Sequence, residues 1–279
     1  MSHSEQTLHE PQSLHEHRGR VLIIAGSDSG GGAGIQADIK AVTVLGGHAA
    51  TAITAVTVQN TLGVFGVHPI PLQVIEAQAR AVLDDIGTDV IKTGMLGDFA
   101  VVELAAKLIE EAGVPAVVDP VMVAKGGHAL LDDGAVVAVR ELLAPKAALL
   151  TPNAPEAAVL TGLVVETTAD LERAGEALLA LGCQAVLMKG GHIAGDRLVD
   201  LLMTPYATTR FETGRIETRH THGTGCTLAS ACAALLAQGR SLDAAVEQAR
   251  DYVQGAIRHA PGFGAGHGPL DHGWPVRGP

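Results

Sequence analysis

Val21-Leu22-Ile23-Ile24-Ala25-Gly26-Ser27-Asp28-Ser29-Gly30-Gly31-Gly32-Ala33-Gly34-Ile35-Gln36-Ala37-Asp38 runs from an unbroken apolar stretch, through a glycine-rich loop, into residues spaced for a helix. A run apolar at every position suits a strand covered on both faces, the pattern of a parallel sheet. Ile35, Ile39 and Val42 recur at helical spacing, and Gly46-Gly47 stops that helix. Strand, glycine loop and helix in this order form the first half of a βαβ unit.

The alternation continues downstream. Residues 49–58 read as a second strand, and Leu72, Ile75, Ala79, Val82 and Ile86 mark a helix with Pro71 at its start. Residues 89–93 and 116–118 read as strands on either side of a helix over 99–111. A short strand over 147–150, a helix through Leu171, Ala174, Leu178 and Leu181, and a strand over 185–189 follow. Residues 198–203 and 208–213 suggest a late β-pair. One helix opens near Thr224, and another carries Leu242, Val246, Ala249, Val253 and Ile257 on one face. From Pro261 the chain is rich in Gly and Pro and reads as loop. The pattern predicts one α/β domain over 19–279, a mainly parallel sheet with helices on both faces, and no linker dividing it.

Composition narrows the function. Of 279 residues, 47% are hydrophobic and 18% charged, which is globular, while 34 glycines and only 3% aromatics favour repeated strand–loop–helix units. A net charge of −11 without a basic patch argues against a nucleic-acid partner. Cys183, Cys226 and Cys232 form no CxxC pair, so a reducing, cytoplasmic setting is expected. No apolar run is long enough for a membrane span. The polar residues 1–18, with His3, His9, His15 and His17, lack the apolar centre of a signal peptide and are expected to be a disordered tail.

In a parallel sheet, ligands bind at the carboxyl ends of the strands. The polar signals follow strands. The loop 26–34 is not a Walker loop, because no Gly-Lys-Ser/Thr follows. Gly32-Ala33-Gly34-Ile35-Gln36-Ala37 satisfies the loose dinucleotide pattern. However, the tight turn after the strand is missing, and the second strand ends in Gln59-Asn60 rather than an acid, which speaks against a dehydrogenase. A plain structural turn is the other reading.

His222-Gly223-Thr224-Gly225-Cys226 leads glycines into a small-residue helix, whose first N–H groups and dipole make an anion site. A thiol there is expected below its ordinary value of about 8.5, fit to act as a base; the alternative is a cap with a buried cysteine. Asp119 follows a strand, where a carboxylate can hold Mg²⁺ through water. Asn153 and Glu156 stand at a helix start, where both can be simple capping residues. Lys189, at a strand end beside Gly190-Gly191, can reach a phosphate or be a surface lysine at a turn.

The order and spacing of these segments are more specific than any one of them. Together with Val58-Gln59-Asn60-Thr61, Lys92-Thr93-Gly94-Met95-Leu96 and Asp119-Pro120-Val121-Met122, the chain resembles the hydroxymethylpyrimidine/phosphomethylpyrimidine kinases of thiamine biosynthesis, a family of the ribokinase-like superfamily. The resemblance spans about Val21 to Trp274. It implies a kinase using ATP and Mg²⁺, compact and without a dedicated lid, and a homodimer.

By this resemblance Gly223, Thr224, Gly225 and Cys226 are the anion hole and catalytic base, with Lys189 on the phosphate. Asn153, Glu156, Lys189 and Thr224 serve the nucleotide, and Asp119 and Glu156 the metal. Gly26, Asp38, Gln59, Met95 and Val121 match positions around the pyrimidine. The superfamily's sugar kinases carry Asp at the Cys226 position, so this cysteine points to the pyrimidine and pyridoxal branch. An amide at Gln59 suits an aminopyrimidine, where pyridoxal-directed members often carry an apolar residue. Ser29-Gly30 departs from the Pro-Ser of many members, with little expected consequence. Pyridoxal kinase is the alternative activity, and a non-catalytic vitamin-binding module the alternative class.

Overall fold

The computed structural model describes residues 18–122 and 133–277. The expected tail lies outside the described residues except for Arg18. The chain opens with β1 (Arg20–Asp28), α1 (Gly34–Val44), β2 (His48–Asn60) and β3 (Gly63–Pro69). α2 (Leu72–Asp85), β4 (Val90–Thr93), α3 (Phe99–Ala112) and β5 (Ala116–Val118) follow. α4 (Asp133–Ala138), β6 (Leu149–Leu150), α5 (Ala154–Thr161), α6 (Thr168–Leu179) and β7 (Val186–Met188) continue the alternation. β8 (Arg197–Met203), β9 (Thr208–Gly214), α7 (Thr224–Ala237) and α8 (Leu242–Arg258) complete it.

Among the described residues the strands form one nine-stranded sheet, ordered β3-β2-β1-β4-β5-β6-β7-β8-β9. The six strands from β2 to β7 in that order are parallel, and β3, β8 and β9 are antiparallel additions at the two ends. The apolar runs read as buried strands are the central ones. β1 sends Leu22 and Ile24 to one face, into the core that also holds Ile75, Leu108, Leu160 and Leu171. Val21, Ile23 and Ala25 go to the other, into the core that also holds Val42, Leu228, Leu235 and Val246. The two-residue period of a strand therefore feeds two cores, one under α2–α6 and one under α1, α7 and α8.

Three elements differ from the sequence reading. β3 has no counterpart in it. Its Phe65 and Val67 alternate outward with no continuous apolar run, and it pairs antiparallel with the end of β2. α4, with the π-helical turn Val139–Leu143 after it, likewise has no counterpart in the sequence reading. The tail beyond Pro261 is irregular but anchored: Tyr252 Oη donates to His272 O at 2.8 Å, and Trp274 stacks on His259 at 5.5 Å. Pro269 there bridges to His222, which brings the tail to the site. No described helix is long and apolar enough to cross a membrane.

Candidate active site

β1 and β4 lie side by side although β2 and β3 separate them in sequence, so the strand order reverses between them. Such a switch point opens a crevice at the carboxyl ends. A cavity of about 580 Å³ lies there. Gly26 and Asp28 reach it from β1, Gln59 from β2, Lys92 and Met95 from β4 and its loop, Asp119 and Val121 from the end of β5. Asn153, Glu156, Lys189 and Gly223 through Cys226 close the far side. Asp38 does not line it. It is fully buried beneath the floor, accepting from Lys92 Nζ at 2.9 Å and Ser230 Oγ at 2.7 Å. Lys92 faces the cavity in its place, and burial of its ammonium is outweighed by Asp38 and neighbouring acids, which hold it above the ordinary lysine value.

Lys189 is fixed by its neighbours. A Cβ at Gly190 would fall 1.9 Å from Val199 O, so only glycine lets the turn lie this close to β8. Asp200 ties that turn down by accepting Gly190 N–H and Arg250 Nε–H, each at 2.8 Å. The ammonium then donates to Asp119 Oδ1 at 3.0 Å and stands 3.9 Å from Glu156 Oε2. Burial disfavours its charge, but Asp119 and Glu156 outweigh burial and keep Lys189 protonated.

Asn153 and Glu156 do form the capping box that opens α5, at 2.8 and 2.9 Å, and both also line the cavity. Burial pushes Glu156 up to about 7, with Lys189 pulling down and Asp119 pushing up. A carboxyl that holds its proton longer folded than unfolded favours folding at low pH, and that advantage fades as pH rises from about 4.5 to about 7. In chelator-treated protein, Glu156→Gln should therefore gain stability relative to the parent across that window, by about 2 kcal/mol. Urea unfolding at pH 5 and pH 8 checks this; a difference unchanged between the two would refute it.

Gly223 caps α7 at φ +83°, and a Cβ there would sit 1.8 Å from Gly32 O. The first loop and the start of α7 are thus packed backbone to backbone. The leading amides of α7 have no acceptor within the helix. An ideal Cβ on Gly225 would lie 3.3 Å from Lys189 Nζ and 3.7 Å from Asp119 Oδ2, so the helix start, ammonium and carboxylate converge.

Cys226 is beside them, close to the Gly34 N–H at the start of α1. Its expected activation is not what the structure shows. Burial pushes the thiol up to about 12; Lys92 pulls down, while Asp38 and Asp119 push up further. Desolvation of a thiolate outweighs the helix end, and the group is a thiol at neutral pH.

Two residues with no role in the sequence reading, Asp28 and His222, meet at this site. Asp28 accepts N–H bonds from Gly30, Gly32 and Ala33, and His222 Nε2 lies 2.8 Å from its Oδ2. The hydroxyl of Ser29 bonds both the N–H and the carbonyl of Gln59 at 2.8 Å. The departure at Ser29 therefore braces Gln59.

A second cavity of about 460 Å³ shares Asn153, Lys189, Thr224 and Gly225 with the first and extends over Leu228, Val253 and Ile257. Two chambers meeting at an ammonium and a helix start suit two ligands, at least one of them anionic. On a sheet of this topology, that arrangement is the one of a small-molecule kinase of the ribokinase-like fold.

Comparison with known proteins agrees. Residues 28–271 match the family model described as phosphomethylpyrimidine kinase, and the chain belongs to that family. The hydroxymethylpyrimidine/phosphomethylpyrimidine kinase of Streptomyces coelicolor is 51% identical, over 91% of this chain and 94% of that protein. Phosphomethylpyrimidine kinase of Clostridium difficile superposes with a TM-score of 0.76 at 38% identity, covering 85% of this chain and 99% of that one. Pyridoxal kinase from Staphylococcus aureus, in complex with AMP-PCP and pyridoxal, superposes at 0.86 with 36% identity, covering 93% of this chain and 95% of that one.

Proposed function

We propose that this kinase moves the γ-phosphoryl group of ATP to the hydroxymethyl group of 4-amino-5-hydroxymethyl-2-methylpyrimidine, then phosphorylates the resulting monophosphate to the diphosphate for thiamine biosynthesis. The observation that carries this reading is the Gln59 amide, set in the cavity that ends at Lys189 and the start of α7. An amide offers the donor and acceptor that an aminopyrimidine edge needs. The substrate would lie between Gln59 and Met95, with the nucleotide in the second chamber and its terminal phosphate at Lys189 and Thr224. Side-by-side ATP-consumption assays with the pyrimidine and with pyridoxal test the reading; turnover of pyridoxal alone would overturn it.

Asp119 and Glu156 suit Mg²⁺, which takes one or two carboxylates and keeps waters and phosphate oxygens for the rest. The raised Glu156 marks a place where negative charge lacks full compensation, as a cation site should. The ion would neutralise charge on the transferring phosphates. Lys189 and the α7 amides hold the phosphoryl oxygens, and Cys226 is the base for the hydroxyl proton in the first step only. In the second step the nucleophile is a phosphate monoester, already ionised near neutral pH.

Pyridoxal phosphorylation is the second reading, supported by the likeness to pyridoxal kinases. Gln59→Met removes the amide's donor and acceptor. The ratio of kcat/KM values should move at least tenfold toward pyridoxal. An unchanged ratio would exclude Gln59 as the selector.

The enzyme is proposed to work as a cytoplasmic homodimer. Its three cysteines are free. Val56 and Val58 are exposed on one face of β2, Phe65 and Val67 are exposed on β3, and β3 is the end strand of the sheet among the described residues, an apolar edge that a second copy would cover. Sedimentation should give a dimer, and Phe65→Asp with Val58→Asp should give monomers.

A further inference from the structure

We propose that His222, held by Asp28, is the positioning residue that sets which way the Gln59 amide faces, and so the sense in which a substrate edge is read. The inference rests on the proposed role of Gln59. As placed, Gln59 Nε2 lies 3.2 Å from His222 Nε2, and Gln59 Oε1 lies 3.1 Å from Thr57 Oγ1. The count of protons requires the opposite orientation.

Asp28 is ionised, because three backbone N–H groups already point at it. The nitrogen 2.8 Å from its Oδ2 must therefore carry hydrogen, which makes His222 Nε2 a donor without a free lone pair. An amide N–H cannot bond to it, whereas an amide oxygen can share its proton with Asp28. The other end agrees. The one hydroxyl hydrogen of Thr57 is directed at Ser27 O, at 2.9 Å, and cannot also serve Gln59. Thr57 Oγ1 then accepts, so the amide end facing it is the nitrogen. Amide oxygen and nitrogen are assigned from such networks, and both ends of this one give the same answer.

Gln59 is thus pinned from three directions. Ser29 holds its backbone, Thr57 takes one amide N–H, and His222 donates to the oxygen. One N–H and one oxygen lone pair remain. The acceptor lies on the His222 side and the donor on the Thr57 side. A ligand presenting an amino group beside a ring nitrogen fits in one sense only. Asp28 also accepts from the loop 30–33 through Gly30, Gly32 and Ala33, so the element that selects the substrate shares an anchor with the first loop.

Two variants and one spectrum test this. His222→Phe keeps a ring but loses the donor, and the KM for the aminopyrimidine should rise about tenfold more than the KM for pyridoxal, with kcat changing less. His222→Gln can supply an N–H and should restore most of the preference. Equal losses on both substrates, or no rescue by Gln, would reduce His222 to a packing residue. Nitrogen-15 NMR of the unaltered full chain decides the point even if the variants misfold. Nε2 of His222 should be the nitrogen that carries hydrogen toward Asp28, and an Nε2 without hydrogen would overturn the assignment. The spectrum is independent of which substrate is turned over, so a failure of the proposed activity would be seen separately in the parent enzyme.

Discussion

Cys226→Ala is expected to lower kcat for the first phosphorylation about a thousandfold while leaving the second within about tenfold. The first step must remove a proton from a neutral hydroxymethyl group, and the thiolate is the proposed acceptor. The second begins from an ionised phosphate and needs no such help. The thiol's high pKa adds a signature. With Cys226 pushed up to about 12, the thiolate is a minor species at neutral pH, and its share grows about tenfold per pH unit below that value. The first step should therefore accelerate with alkalinity in the parent enzyme, the second should not, and Cys226→Ala should abolish the slope. Separate assays of each step across pH 6.5–9.5 measure this. Equal losses in both steps, or a first step indifferent to pH, would leave Cys226 as a wall of the anion hole.

The second large effect is expected at Lys189. Lys189→Met should reduce kcat of both phosphorylations by a factor of about 10² to 10³, because the ammonium compensates charge on the phosphoryl group in either step. It also leaves Asp119, 2% exposed, without the cation 3.0 Å from it. Removing one member of a buried pair costs about 3–5 kcal/mol, so the variant should also be less stable. Pairing it with Asp119→Asn tests the stability cost alone, because Asp119 is itself proposed to hold Mg²⁺: stability should return. Single-turnover rates together with urea unfolding make the comparison. Lys189→Met with unchanged single-turnover rates would show that Lys189 serves the fold and not the phosphate.

These two sites differ in how far local rules reach. Lys189, after a strand and beside two glycines, is readable as a residue at the carboxyl end of the sheet, and it does line the cavity, since β7 and its turn are local. For Cys226 the local rule misleads. A helix start lowers a thiol's pKa, but burial and the acids at 38 and 119, both remote in sequence, reverse the sign. Asp38, matched by resemblance to a position near the substrate, instead lies under the floor, where Lys92 holds it. Asp28 and His222 have no role legible in the chain, because they are 194 residues apart and only the fold makes them neighbours. β3 escapes the sequence pattern for a related reason: its apolar residues face outward and leave no buried period to detect.

From the order of residues alone come the parallel α/β architecture and the positions of the loops at the strand ends, and the resemblance carried by their motifs adds the kinase class. Each rests on a repeating pattern or a contiguous segment, and short-range geometry is written directly into the chain. The strand order, the charge state of Cys226, the replacement of Asp38 by Lys92 at the cavity floor and the facing of Gln59 come only from the folded molecule. Those properties depend on solvent exclusion and on hydrogen bonds between distant segments, which exist only once the sheet has brought the segments together.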